Sequence, residues 1–153
     1  MKEKSRTVHI DNHSLMQEIT RMFNELGKES VTITVRGYSM RPFLEDSRDK
    51  VILVPPHTPR VGDVVLARID DKRYAMHRVI KAENDIYTMQ GDGNPTYIKE
   101  VFREADIIGI ARAFIRKGKI VTTNSTIWKV YSLSWRTLKP FRRILLGIYR
   151  RTR

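Results

Sequence analysis

Residues 14–26, SLMQEITRMFNEL, place Leu15, Ile19, Met22, Phe23 and Leu26 at the spacing of one helical face. Ser14 is the expected N-cap and Gly27 the stop. From Val31 the period shortens. The runs VTITV, DKVILV, DVVLARI, RYAMHRVIKA, DIYTMQ and DIIGIARAFIRKGKIV are rich in β-branched and aromatic residues, and PPHTPRVG, DDKR, END and GDGNPT break them. Short strands at this spacing predict a mainly β fold, an antiparallel meander or coiled barrel. No helical crossover separates them, as a parallel sheet would require.

After VTTNST the pattern changes again. Read as helix, TIWKVYSLSWRTLKPFRRILLGIYRRTR puts Ile127, Trp128, Tyr131, Trp135 and Leu138 on one face and Lys129, Arg136 and Lys139 on another. Beyond Pro140 the pattern resumes with Phe141, Ile144, Leu145 and Ile148. The expected organisation is an N-terminal helical segment at 1–30, a β domain at 31–121 and a basic amphipathic helical tail at 122–153.

Charge sharpens the picture of the tail. The chain of 153 residues carries a formal charge of +12, and its last acid is Asp106. Twelve of the 29 Lys and Arg residues lie beyond that point, so acids and bases balance in the rest. Such asymmetry points to an anionic partner, membrane or nucleic acid. Apolar residues opposite a basic face suit a helix lying in a membrane interface. The competing reading is a helix packed on the body with a solvated basic face. The confinement of the aromatics to amphipathic faces argues for lipid over bases, so residues 127–153 are expected to meet an anionic membrane surface, on the cytoplasmic side. The start MKEKSRTVHIDNHS has no apolar core and predicts no signal peptide, and no run approaches a membrane-spanning length. Without cysteine there is no disulfide, thiolate metal site or cysteine nucleophile.

The stretch VRGYSMRPFL, residues 35–44, sets Ser39 between Gly37-Tyr38 and Met40-Arg41-Pro42, directly after a strand. Such punctuation marks any strand end, so taken alone it reads as a turn; a nucleophile held at a sheet edge needs a base and an orienter downstream. His9, His13 and His57 lie in polar or proline-rich stretches and read as solvated. His77 differs, because YAMHRVI alternates as a strand and puts Ala75, His77 and Val79 on one face. An inward histidine needs a hydrogen-bond partner or a task. Gly91-Asp92-Gly93-Asn94-Pro95 reads as a tight turn. A serine hydroxyl becomes a competent nucleophile when an imidazole takes its proton, and a carboxylate that fixes the tautomer helps.

In order, GYSMRP, RVGDVVLARI, YAMHRVI, YTMQGDGNPT and DIIGIA resemble the successive blocks of type I signal peptidases. More broadly they resemble the serine-peptidase superfamily shared with LexA-type self-cleaving repressors, over about Val31 to Ile120. The resemblance implies a serine endopeptidase acting on polypeptide, with no metal or organic cofactor. Ser39-Met40 would be the nucleophile block. At the second position, where bacterial signal peptidases and LexA-like proteins carry lysine, stands His77, the pattern of the endoplasmic-reticulum and archaeal type. Asp92 in the GD block would be the acid. That type usually has a second acid a few residues on, where this chain has Tyr97 and Ile98, with Glu100 and Asp106 the nearest acids. The resemblance further implies an oxyanion donor in the Ser39 backbone N–H and a substrate lying as an added strand beside Val31–Arg36. The rival is a non-catalytic β domain that binds peptide, membrane or nucleic acid through its basic tail.

Overall fold

The computed structural model describes residues 12–152, so His9 lies outside the described part. Helix α1 (Asn12–Asn24) buries Met16, Ile19 and Phe23, a stripe at three- and four-residue spacing. Leu26, which the periodicity adds to that stripe, falls beyond the helix and is half exposed.

Eight strands follow: β1 (Val31–Thr34), β2 (Lys50–Val54), β3 (Val64–Arg68), β4 (Tyr74–Glu83), β5 (Ile86–Gln90), β6 (Glu100–Arg103), β7 (Ile107–Arg116) and β8 (Lys119–Thr122). They form one curled, half-barrel sheet in the order β1-β2-β7-β3-β4-β5-β6, with β8 also on β7 and every pairing antiparallel. The long run DIIGIARAFIRKGKIV is two strands joined through Lys117 and Gly118. Both residues have positive φ, the backbone of a tight hairpin turn. Strand β6 is absent from the sequence pattern because Glu100 and Arg103 make its ends polar.

The sheet buries apolar residues on both faces. Val64 and Leu66 of β3 join a core with α1, β2, Phe114 and the Met40–Leu44 segment, while Val65 and Ala67 join a second with Val79, Tyr87, Met89 and Phe102. A strand buried on both sides reads as a continuous apolar run, which is why DVVLARI lacks alternation.

The tail forms α2 (Thr126–Thr137) and α3 (Arg142–Arg151), joined by a 3₁₀ turn at Lys139–Phe141. Ser125 caps α2 by accepting the Trp128 N–H. Trp128 packs in the first core, with ring centroids 4.5 Å from Phe114 and 5.0 Å from Phe43. Trp135 is also buried, so neither indole is available to a membrane. Ile127 and Leu138, assigned to the same face by periodicity, point outward instead. The inner face of α2 thus packs on the body, and its outer face is uncovered among the described residues. No described helix is long and apolar enough to cross a membrane.

Candidate active site

Ser39 lies in the loop after β1. Gly37, in the left-handed region at φ 82°, starts this loop, and its N–H donates to the Asp46 carboxylate at 2.7 Å. That bond holds Asp46 below the usual carboxylate range. Met40, Phe43 and Leu44 are buried and tie the loop's far side to the core. Arg41 is ion-paired with the nearly buried Glu45, whose N–H donates to Asp49. Ser39 is therefore carried by a short segment anchored on both sides.

The Ser39 hydroxyl lies 2.9 Å from His77 Nε2, and His77 Nδ1 lies 2.9 Å from Glu100 Oε2. A carboxylate only accepts, so Nδ1 carries the proton facing Glu100, leaving Nε2 bare to accept the serine O–H. His77 is on β4 and Glu100 opens β6; both strands flank β5, whose chain leaves the sheet after Gln90. The three groups form a continuous hydrogen-bonded chain. It opens into a cavity of about 390 Å³ walled by Val35, Arg36, Met40, Ile69, Tyr74, Ala75 and Met76. A second cavity, of about 370 Å³, shares only Ser39 with the first and is lined by Tyr38, Arg41, Gly93, Leu146 and Tyr149 among others. Space for a chain thus exists on two sides of the hydroxyl.

Asp92 is the correction. It does not hold the imidazole; its carboxylate is buried and engaged by Arg78, through Nε at 2.8 Å and Nη2 at 2.7 Å, and by the Tyr131 hydroxyl at 2.9 Å. Burial drives the Tyr131 phenol far above its ordinary range, so it remains a donor. Trp135 donates to the Asp92 carbonyl, and Arg78 also reaches Ser132 and the Gly62 carbonyl. The physical reason is alternation: Arg78 follows His77 on β4 and projects from the opposite face, where Asp92 meets it. Asp106 is equally remote, pairing with Arg68 and accepting the Arg103 N–H.

The GDG turn still bears on the serine. Gly93 N–H donates to the Ser39 carbonyl at 2.7 Å. A Cβ on Gly91 would stand 2.5 Å from that carbonyl oxygen, and one on Gly93 2.5 Å from the Tyr38 oxygen. Both glycines are required by close backbone approach. Among the described residues the Ser39 N–H has no protein acceptor, which leaves it available to a developing oxyanion.

His57 lies in an exposed loop, and His13 bonds the Tyr74 hydroxyl at 2.7 Å. No group of three or more His, Cys, Asp or Glu among the described residues is placed to hold a metal ion. Sequence reasoning missed the buried role of Arg78, for which an arginine in a strand otherwise fit for burial was the available signal. It placed Asp92 first as the acid, with Glu100 and Asp106 as the neighbouring acids to share or take over that duty. No curated protein matches the chain. The profile of the Peptidase S24-like family matches residues 5–114, spanning α1, the Ser39 loop, His77 and Glu100, and the chain belongs to that family.

Proposed function

We propose that the protein is a serine endopeptidase using Ser39 as nucleophile, His77 as general base and Glu100 as the group that orients the imidazole. The observation that carries this reading is the Ser39–His77–Glu100 chain, with 2.9 Å at each step, at the mouth of a cavity. The Ser39 oxygen attacks the scissile carbonyl as its proton passes to His77 Nε2. Charge on the carbonyl oxygen meets the Ser39 N–H, and Glu100 stabilises the imidazolium. The imidazolium then gives its proton to the departing amine, leaving an ester on Ser39. Water, deprotonated by the same nitrogen, hydrolyses that ester.

The substrate lies extended along β1, which ends the strand order and pairs only with β2 among the described residues. Histidine at the base position favours the endoplasmic-reticulum and archaeal branch of the signal-peptidase superfamily over its lysine-dependent branches. Cleavage in trans of an extended peptide is the corresponding activity. The test is a peptide-library digestion with wild type and Ser39→Ala, together with labelling by a serine-reactive phosphonate. Cleavage and labelling confined to wild type are expected; equal cleavage by the variant overturns the reading.

One observation favours a second reading, cleavage in cis. Asn12, in the first turn of α1, lines the first cavity together with Ser39, His77 and Glu100, so a segment of the same chain already forms part of its wall. Intact-mass measurement distinguishes the two. Loss of N-terminal residues at a rate independent of protein concentration, absent in Ser39→Ala, would establish self-processing.

A further inference from the structure

We infer that the outer faces of α2 and α3 dock on an anionic lipid surface, with aliphatic residues inserted and flanking basic residues against the headgroups. Ile127, Val130, Leu133, Phe141, Ile144 and Ile148 are each more than half exposed. Large apolar residues scattered singly over a surface are ordinary, but a contiguous series is not. Here seven of the fifteen exposed large hydrophobics among the described residues fall between Ile127 and Ile148. On α2, Val130 and Leu133 stand opposite the buried Trp128, Ser132 and Trp135. On α3, Ile144 and Ile148 stand away from the buried Arg142 and Leu146. The helices thus have two unlike faces, one satisfied by the body and one with no cover among the described residues.

Charge selects the occupant. Lys129, Arg136, Arg143, Arg150 and Arg151 are exposed on the same helices, and no acid occurs after Asp106. A second copy would oppose two such clusters of like charge, which disfavours self-association. Nucleic acid would match the sign, but binding to single strands relies on successive exposed aromatic stacking platforms. Over α2, α3 and the turn between them both tryptophans are buried, and Phe141 is the single exposed aromatic among the described residues. Aliphatic side chains ringed by arginine and lysine fit the boundary between acyl chains and anionic headgroups. Because α3 also contributes Leu146 and Tyr149 to the second cavity at Ser39, docking would hold the serine at a fixed height above the bilayer.

The test is sedimentation of the full chain with phosphatidylcholine vesicles, with and without phosphatidylglycerol, over a salt series. The full chain is needed because Trp128 belongs to the core. Binding that needs phosphatidylglycerol and persists in part at high salt is expected. The double variant Ile144→Glu, Ile148→Glu should lower partitioning about 10²-fold. Its circular dichroism should be unchanged. Equal sedimentation of wild type and variant overturns the inference, as does loss of all binding at high salt. So does a wild type that ignores vesicles, whether it retains duplex DNA or sediments as a dimer in buffer. Ser39→Ala should bind as wild type does, so the result stands apart from that of the cleavage assay.

Discussion

His77 and Arg78 are adjacent on β4, and each meets a carboxylate, yet the two pairs have opposite characters. The His77–Glu100 pair sits at a cavity wall, with side chains 8% and 13% exposed; the Arg78–Asp92 pair is wholly buried, at 0% for both. The first ends on a hydroxyl that faces the cavity. The second is closed by Tyr131, Ser132 and the Gly62 carbonyl, which satisfy the charge but leave no room for a reactant. A buried ion pair gains little over an apolar alternative, but deleting one partner strands the other without water. One step along a strand therefore separates a pair suited to moving a proton from a pair suited to holding a turn in place.

The largest effect expected on this comparison is from Ser39→Ala, which should lower kcat/KM by about 10³-fold or more without changing stability. Ser39 is neither a core residue nor part of the buried ion pair. A steady-state assay beside a thermal melt checks both halves, and a large fall in Tm would return Ser39 to the role of a turn residue.

The two carboxylates should then separate. Glu100→Gln should cost about 10²–10⁴ in kcat/KM, because the imidazole loses its orienting anion, with little change in Tm. Asp92→Asn should do the reverse, destabilising by about 3–5 kcal/mol and lowering Tm by roughly 6–20 °C, with kcat/KM nearly intact while the protein is folded. If Asp92→Asn proves the more damaging to activity at a temperature where both variants are folded, the assignment of the acid is reversed.

That separation also marks how far the sequence was legible. Alternation in YAMHRVI set His77 and Arg78 on opposite faces, and the GYSMRP block located the serine. The acid was not legible, because Asp92 lies within one glycine-rich turn and Glu100 shortly after it, and only strand pairing decides which side of the sheet each reaches. Strand β6 carries Glu100 and is too polar to announce itself. The tail was legible as helix but not in orientation: periodicity grouped Ile127 and Leu138 with Trp128, whereas packing on Phe43 and Phe114 turned the indole inward. Long-range contact chose among faces that local pattern left equivalent.

A smaller effect should come from the turn between the two pairs. Gly91→Ala forces a Cβ to within 2.5 Å of the Ser39 carbonyl oxygen, so one backbone must move. A displacement of the nucleophile approaching 1 Å can cost about 10²-fold. The loss should fall mainly on kcat, and unchanged kinetics would mean that the turn yields without moving Ser39.

The smallest effect concerns acid, through a third carboxylate that resembles Asp92 rather than Glu100. Asp49 is fully buried below the Ser39 loop. Burial opposes its charge, but two bonds from Arg48, at 2.8 Å each, and the N–H groups of Glu45 and Lys117 outweigh that cost. The carboxyl is thereby held below the usual range. A depressed folded pKa contributes stability that is fully present above the unfolded value, about 3.9, and is lost as pH falls below it through the folded value. Urea midpoints measured downward from neutral pH should therefore fall below about pH 4, and Asp49→Asn should start lower and fall less steeply. An equally steep fall in the variant would assign the acid sensitivity to other carboxylates. If activity vanishes at a pH where the midpoint still holds, catalysis and stability are separable in the wild-type protein, as the contrast between the two kinds of pair requires.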